Sequence, residues 1–217
     1  IWGFMQQHLV DKQRIYFAPD NNLSDIAIEY LNDGQQTFFE KYEVYRLSST
    51  KELCRDYSET TASKSITIFG DIDYNTDLVS ESRGGISFGK LKYGREEING
   101  IRSFVNKTFK TTIYAEKKAT EKQFREMSNK NPTILHISSH GEYDGDDKTI
   151  DNDAMENSLL ALSGANTGSD DFMDDGIITA ADIAQMNLRQ CDMAVLSACN
   201  TGIGGKGTDG IFGLQRG

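Results

Sequence analysis

Cysteine is scarce: Cys54, Cys191 and Cys199 are the three in 217 residues. An odd, small set without framework spacing excludes a disulfide-stapled secreted scaffold and points to a reducing compartment. Long apolar runs are missing as well. A membrane-spanning helix needs roughly 20 apolar residues, whereas the longest runs here, such as Met193 to Leu196, have the length of buried strands. Basic residues are in deficit, 23 Lys and Arg against 33 Asp and Glu, for a formal net charge of −10. A surface that neutralises phosphates needs clustered cations, so neither a nucleic-acid nor a membrane partner is expected. The mildly basic Arg83 to Arg95 is short and Gly-rich and reads as a solvated loop. The first residues carry no charged n-region and no apolar h-region, so no signal peptide is visible and a cytoplasmic location is expected.

What is present is a globular composition, 37% hydrophobic and 10% aromatic, in a length that supports one large domain or two small ones. The first sixty or so residues are mixed, with short strand candidates at Arg14 to Pro19 and Val44 to Leu47, a turn at Asp20 to Asn22, and Ser48 or Ser49 placed to cap a short helix from Lys51. The division expected is an accessory part over 1–64 and a core over 65–217. From Ser65 the pattern becomes regular. Ser65 to Gly70 is β-branched and apolar, a buried strand. Arg95 to Phe109 places Ile98, Ile101, Val105 and Phe109 at helical spacing. Thr111 to Ala115 reads as a strand, Thr120 to Met127 as a helix, Thr133 to Ile137 as a third strand, Ser158 to Leu162 as an added strand or hairpin, Thr179 to Met186 as a capped helix, and Asp192 to Ser197 as a fourth core strand. Alternating strands and helices predict an α/β fold with a mostly parallel sheet covered on both faces. In such sheets ligands bind at the carboxyl ends of the strands.

Two of those ends carry chemistry. The third strand runs into Ser138-Ser139-His140-Gly141 and the fourth into Ser197-Ala198-Cys199-Asn200. A free thiol has a pKa near 8.5, so only a few per cent is thiolate at neutral pH. An adjacent imidazole can accept its proton and later return one to a leaving amine. The backbone N–H groups of Gly141 and Cys199 are candidate donors to the oxygen of a scissile carbonyl, and losing one such donor typically costs about 2.7–4 kcal/mol of barrier. A lone strand-end histidine is most often structural, and a lone cysteine after an apolar strand is most often a small core residue; the pairing of both at one sheet edge favours catalysis. His136 sits inside an apolar run and reads as a hydrogen-bonded core histidine. Cys191 reads as structural; Cys54 and His8 have no partner motif.

These segments resemble the CHAT domain family, a branch of the caspase-like clan CD cysteine peptidases related to caspases, separase and gingipains. ILHISSHGEY (Ile134 to Tyr143) is similar to the family's histidine block and LSACNTGIGG (Leu196 to Gly205) to its cysteine block. YGREEINGI (Tyr93 to Ile101) looks like its helix with paired glutamates, NSLLALSGAN (Asn157 to Asn166) like the segment before the active loop, and IYFAPDNNL (Ile15 to Leu23) like its N-terminal hairpin. The segments from Asp174 to Cys199 and from Gly210 to Gly217 are similar in order and spacing. The resemblance implies a caspase-hemoglobinase-like fold with an N-terminal hairpin region, and proteolysis of a protein substrate by a Cys199–His140 dyad. It implies oxyanion donors at Gly141 and Cys199, a substrate pocket near Ser138, Ser197 and Ala198, and no metal or organic cofactor. It further implies a bacterial signalling or defence setting with a regulatory repeat domain or activating partner. Family members continue beyond the GLQRG-like segment, so C-terminal sheet strands are expected to be missing.

Three alternatives stay open. A catalytically idle, caspase-like interaction module would keep the fold without using the dyad. An NTPase would need G-x-x-x-x-G-K-[ST]; aligning Gly205-Lys206 puts Asn200 at the first glycine and Gly207 at the hydroxyl position, so two positions fail. Between Glu142 and Asp175 eleven acidic residues face one lysine, Lys148; a solvated loop and a calcium site are both readings, although no EF-hand pattern is present. Some relatives select a basic residue before the scissile bond through an Asp two positions before the cysteine; here that position is Ser197, so that device is absent.

Overall fold

The computed structural model describes residues 6–19, 23, 26–32, 34–47, 49–54, 64–75, 87–105, 107–143, 154–167, 174–199, 205–207, 210–212 and 214. The turn expected at Asp20 to Asn22 lies outside them, and so does much of the acidic segment between Glu142 and Asp175, including the close-set Asp144, Asp146 and Asp147 that the calcium reading would use. The chain divides into two compact units, 1–57 with 206–211, and 58–205 with 212–217.

In the first unit, strands β1 (Arg14–Phe17) and β2 (Glu43–Arg46) run parallel, with Arg14 opposite Glu43 and Phe17 opposite Arg46. The expected N-terminal hairpin is therefore corrected to a crossover pair. The cause is the connection: parallel strands need a long return path, and here it holds a 3-10 turn (Ile28–Tyr30) and helix α1 (Phe38–Lys41). Thr37 caps α1 through a capping box with Glu40, which satisfies amides that the first helical turn leaves free.

The second unit is built on a four-stranded, all-parallel sheet in the order β4-β3-β5-β9. Its strands are β3 (Ser65–Ile72), β4 (Lys110–Glu116), β5 (Ile134–Ser138) and β9 (Met193–Ser197). The α/β, mostly parallel architecture expected from the alternation is what the chain forms. Helix α2 (Gly94–Val105) links β3 to β4; α3 (Glu121–Arg125) and α4 (Met127–Lys130) link β4 to β5. The helix expected over Thr120 to Met127 is thus two short ones, capped at its start by the Thr120 hydroxyl, which accepts from the Gln123 N–H.

Successive side chains on a strand point to opposite faces. Ile66 and Ile68 pack with Ile98, Ile101 and Val105 of α2 on one face. Phe69, Leu135 and Ile137 pack with Phe124 and Met127 on the other, where the Phe69 ring stacks on Tyr114 at 4.9 Å and meets Phe124 edge-on at 5.4 Å. Each fully buried side chain of this size contributes roughly 1.5–3 kcal/mol. Two glycines let α2 come close. A Cβ on Gly70 would press Ile98 Cδ1 at 3.2 Å, and one on Gly94 would press the Asp71 backbone at 3.1 Å.

After β5 the chain enters a second, antiparallel sheet, β6 (Gly141–Tyr143), β7 (Ser158–Ala161) and β8 (Ile177–Thr179). Helix α5 (Ala180–Ala184) follows β8, with Thr179 and Asp182 forming a capping box. Arg125 ties α3 to α5 by bonding Glu121 and Asp182. Strands β10 (Gly205–Gly207) and β11 (Gly210–Phe212) pair with each other. No helix among the described residues is long and apolar enough to cross a membrane.

Candidate active site

The strand order places β3 and β5 side by side with their crossovers on opposite faces, and the crevice at such a reversal is where α/β sheets bind ligands. His140 follows β5 at that reversal, and Cys199 follows β9, the next strand over, at the same end of the sheet. Strands β5 and β9 pair in parallel with Ser138 opposite Ser197, and the Ser139 N–H extends the ladder to the Ser197 carbonyl at 3.2 Å. His140 and Cys199 each follow two residues after that paired level, just past the ends of two neighbouring strands, which themselves run about 4.8 Å apart. Cys199 is exposed and its thiol is free.

The imidazole of His140 is held from three sides. Its Nε2 lies 2.7 Å from the Gly89 carbonyl. A carbonyl oxygen only accepts, so Nε2 carries a proton and donates, and in the neutral ring Nδ1 is the bare nitrogen. The rings of Tyr74 and Phe88 pack against it at 5.2 and 5.6 Å between centroids. Tyr74 is itself 1% exposed. Its hydroxyl lies 3.2 Å from Ser139 Oγ, and the Ser139 hydroxyl donates to the Ala161 carbonyl. Burial pushes the Tyr74 phenol pKa above its ordinary value, so it stays a neutral donor.

The Gly89 carbonyl has its own supports. Asn166 takes the Phe88 N–H on Oδ1 at 2.8 Å and donates from Nδ2 to the Phe88 carbonyl at 2.9 Å, as a neighbouring strand would. Its own N–H donates to the Tyr74 carbonyl at 3.0 Å. One residue thereby joins the two segments that flank the His140 ring, by its main chain to Tyr74 and its side chain to Phe88. On the other side of Gly89, Lys90 pairs with the buried carboxylate of Asp71 at 3.0 Å, which Arg95 also contacts at 2.6 Å. Sequence reasoning missed Gly89 and Asn166; a backbone oxygen has no sequence signature, although Asn166 closes one of the quoted family segments.

Gly141 opens β6, opposite Leu160. Because the Ala161 N–H donates to the His140 carbonyl at 3.0 Å, alternation along an antiparallel ladder makes Gly141–Leu160 a non-hydrogen-bonded pair and turns the Gly141 N–H away from β7.

The residues named as a pocket divide between the two faces of the sheet. Ala198 packs with Leu196 against the apolar cluster. Ser138 and Ser197 instead meet a carboxylate from α2. Glu97 accepts from the Ser138 hydroxyl at 2.6 Å and from His136 Nε2 at 3.0 Å, and the Ser197 hydroxyl bonds it as well. Partial burial raises the Glu97 pKa, but the bonds from Ser138 and Ser197 and the neighbouring His136 outweigh it, and the net shift is downward. His136 is, as expected, a buried and hydrogen-bonded histidine. Cys191 is half-buried, bonds the Met193 carbonyl at 3.3 Å, and has its thiol pKa raised by burial. No group of three or more His, Cys, Asp or Glu placed to hold a metal ion occurs among the described residues.

Against known proteins, a family model described as CHAT domain matches residues 3–217. No curated protein and no solved structure matches the chain at a significant level.

Proposed function

Since the chain belongs to the CHAT domain family, which is caspase-like, we propose that it is a cysteine endopeptidase acting on a protein substrate, with Cys199 as nucleophile and His140 as base. The observation that supports this reading is the strand register: two adjacent parallel strands end level, at Ser138 and Ser197, with a histidine and a cysteine each two residues further on, and the His140 Nε2–H is engaged by Gly89, which leaves Nδ1 to act as the base.

In the proposed reaction, Nδ1 accepts the Cys199 thiol proton as sulfur bonds to the scissile carbonyl carbon. The oxyanion receives the N–H groups of Gly141 and Cys199. The C–N bond then breaks as His140 protonates the leaving amine, giving a thioester. Water attacks that thioester, His140 takes its proton, and the C–S bond breaks to release the new carboxyl terminus and restore the thiol. Pairing a nucleophile with a positioned base contributes typically 10²–10⁴-fold to such steps. A role in bacterial signalling or defence, with an activating partner or repeat domain, is part of the proposal by family analogy.

The test is the rate of Cys199 alkylation by iodoacetamide against pH, with Cys54 and Cys191 replaced by Ser. Reaction persisting below pH 7 and lost in His140→Ala supports the dyad. A single titration near the free-thiol value of about 8.5, the same in both proteins, refutes it and favours the idle interaction module.

A further inference from the structure

The sheet edge that carries Cys199 and His140 has an acidic floor that neither strand contributes. Ser138 and Ser197 occupy the positions two before the histidine and two before the cysteine, paired with each other across β5 and β9. Both bond one carboxylate, Glu97 on α2. Two residues of strand span about 6.6 Å, so this carboxylate lies roughly one lysine or arginine side chain below the level of the dyad, on the α2 side.

Its charge is not balanced by a permanent cation. Glu97 receives two serine hydroxyls and one histidine nitrogen, while a carboxylate has about four acceptor positions. Its side chain remains 30% exposed. The basic side chains near the start of α2 are engaged elsewhere, Lys90 with Asp71, Arg95 with Asp71 and Glu116, and Lys92 over the Tyr93 ring. Hydroxyl donors orient the carboxylate without neutralising it. A half-buried anion held by donors and left one open acceptor position is complementary to a cationic side chain.

We propose that Glu97 is the specificity determinant of the site and selects a basic residue, Arg or Lys, on the acyl side of the scissile bond. The helix thereby supplies the negative charge that position 197, a serine, does not. This rests on the reading of Cys199 and His140 as the reacting pair.

The experiment compares peptidyl chloromethyl ketones carrying Arg, norleucine or Asp next to the reactive carbon, which alkylate Cys199 with loss of chloride. Protein with Cys54 and Cys191 replaced by Ser is used, with and without Glu97→Gln, and each Arg rate is divided by the same protein's norleucine rate. The expected ratio is roughly 10- to 100-fold in favour of Arg, or about 1.4–2.8 kcal/mol, falling toward unity in Glu97→Gln. Equal Arg and norleucine rates in the parent protein overturn the proposal. So does a Glu97→Gln variant that slows every reagent alike while keeping the ratio, since Glu97 is then a brace only. Should that variant fail to fold, the parent protein decides: benzamidine must slow Cys199 labelling where benzamide does not, and equal effects refute a cation site. Arg discrimination that survives in a protein whose thiol titrates independently of His140 upholds the pocket and sinks the peptidase reading instead.

Discussion

Replacing Asn166 by Ala tests whether the orientation of His140 depends on a side chain that touches neither the imidazole nor the thiol. The substitution removes the two bonds that hold Phe88, at 2.8 and 2.9 Å. A neutral hydrogen bond contributes a net 0.5–1.5 kcal/mol, so the pair contributes about 1–3 kcal/mol. At 1.4 kcal/mol per tenfold, that shifts the held arrangement of the Phe88-Gly89 segment by roughly 5- to 150-fold. Gly89 then presents its carbonyl to Nε2 less often, and Nδ1 is less often the bare nitrogen. Turnover of a peptide substrate is expected to fall by about tenfold or more, mainly in kcat. The ¹⁵N shifts of the His140 ring should move from one fixed tautomer toward a mixture. The pH at which Cys199 alkylation rises should climb toward that of a free thiol. A variant that melts earlier but keeps its turnover and its imidazole shifts would show that Asn166 is a brace for the loop alone, and the reasoning would be wrong.

Gly176 has φ +79°, and a Cβ there would run into the backbone of Gly164 and Ala165. Gly176→Ala should therefore cost more than the 1–2 kcal/mol of the left-handed backbone alone and lower the melting temperature by at least about 2–4 °C. Asp182 titrates below its ordinary value: burial raises its pKa, but the Thr179 backbone N–H, the Thr179 hydroxyl and Arg125 together outweigh it. On acidification the unfolded chain takes up this proton first, so the carboxylate's stabilisation is complete above the unfolded value of about 3.9 and is lost as pH falls through the lower folded value. Thermal unfolding of Asp182→Asn should lie furthest below wild type at pH 7, by an N-cap-sized 0.5–2 kcal/mol, and approach it near pH 3; a gap that widens on acidification would contradict the sign. Tyr74→Phe deletes a hydroxyl but keeps the ring against His140, so a loss of about 0.5–1.5 kcal/mol with nearly unchanged turnover is expected, and calorimetry alongside peptide kinetics would check both.

The catalytic half of the parallel core was legible because its two strands are compact apolar runs ended by a chemically distinct signal, ILHIS before Ser139-His140 and MAVLS before Ala198-Cys199. Parallel neighbours share a direction, so the two strand ends had to fall on the same edge. The orientation of the N-terminal pair was not legible, since RIYF and EVYR pair equally well either way, and the short elements between Ala18 and Tyr42 decide it. Glu97 was missed although a signal existed. It lies four residues before Ile101 and eight before Val105, on the stripe that α2 turns to the sheet, whereas Glu96 falls off that stripe. A charge on an apolar stripe marks a buried polar partner, here His136 and Ser138. The Gly89 carbonyl could not have been found this way, because its contact with His140 joins positions 51 apart in sequence through an atom that every residue possesses.

Orientation of His140 by a main-chain oxygen has a genetic consequence. An orienting group made of main chain cannot be deleted by substituting its own residue, and a Cβ at Gly89 meets nothing within 4 Å. Most replacements at position 89 are therefore expected to be silent in a saturation screen for activity. The sensitivity is transferred to the side chains that brace the segment, above all Asn166, whose amide holds Phe88 on both its N–H and its carbonyl. In a lineage of such domains, drift would be free at the residue that touches the histidine and constrained at one that does not.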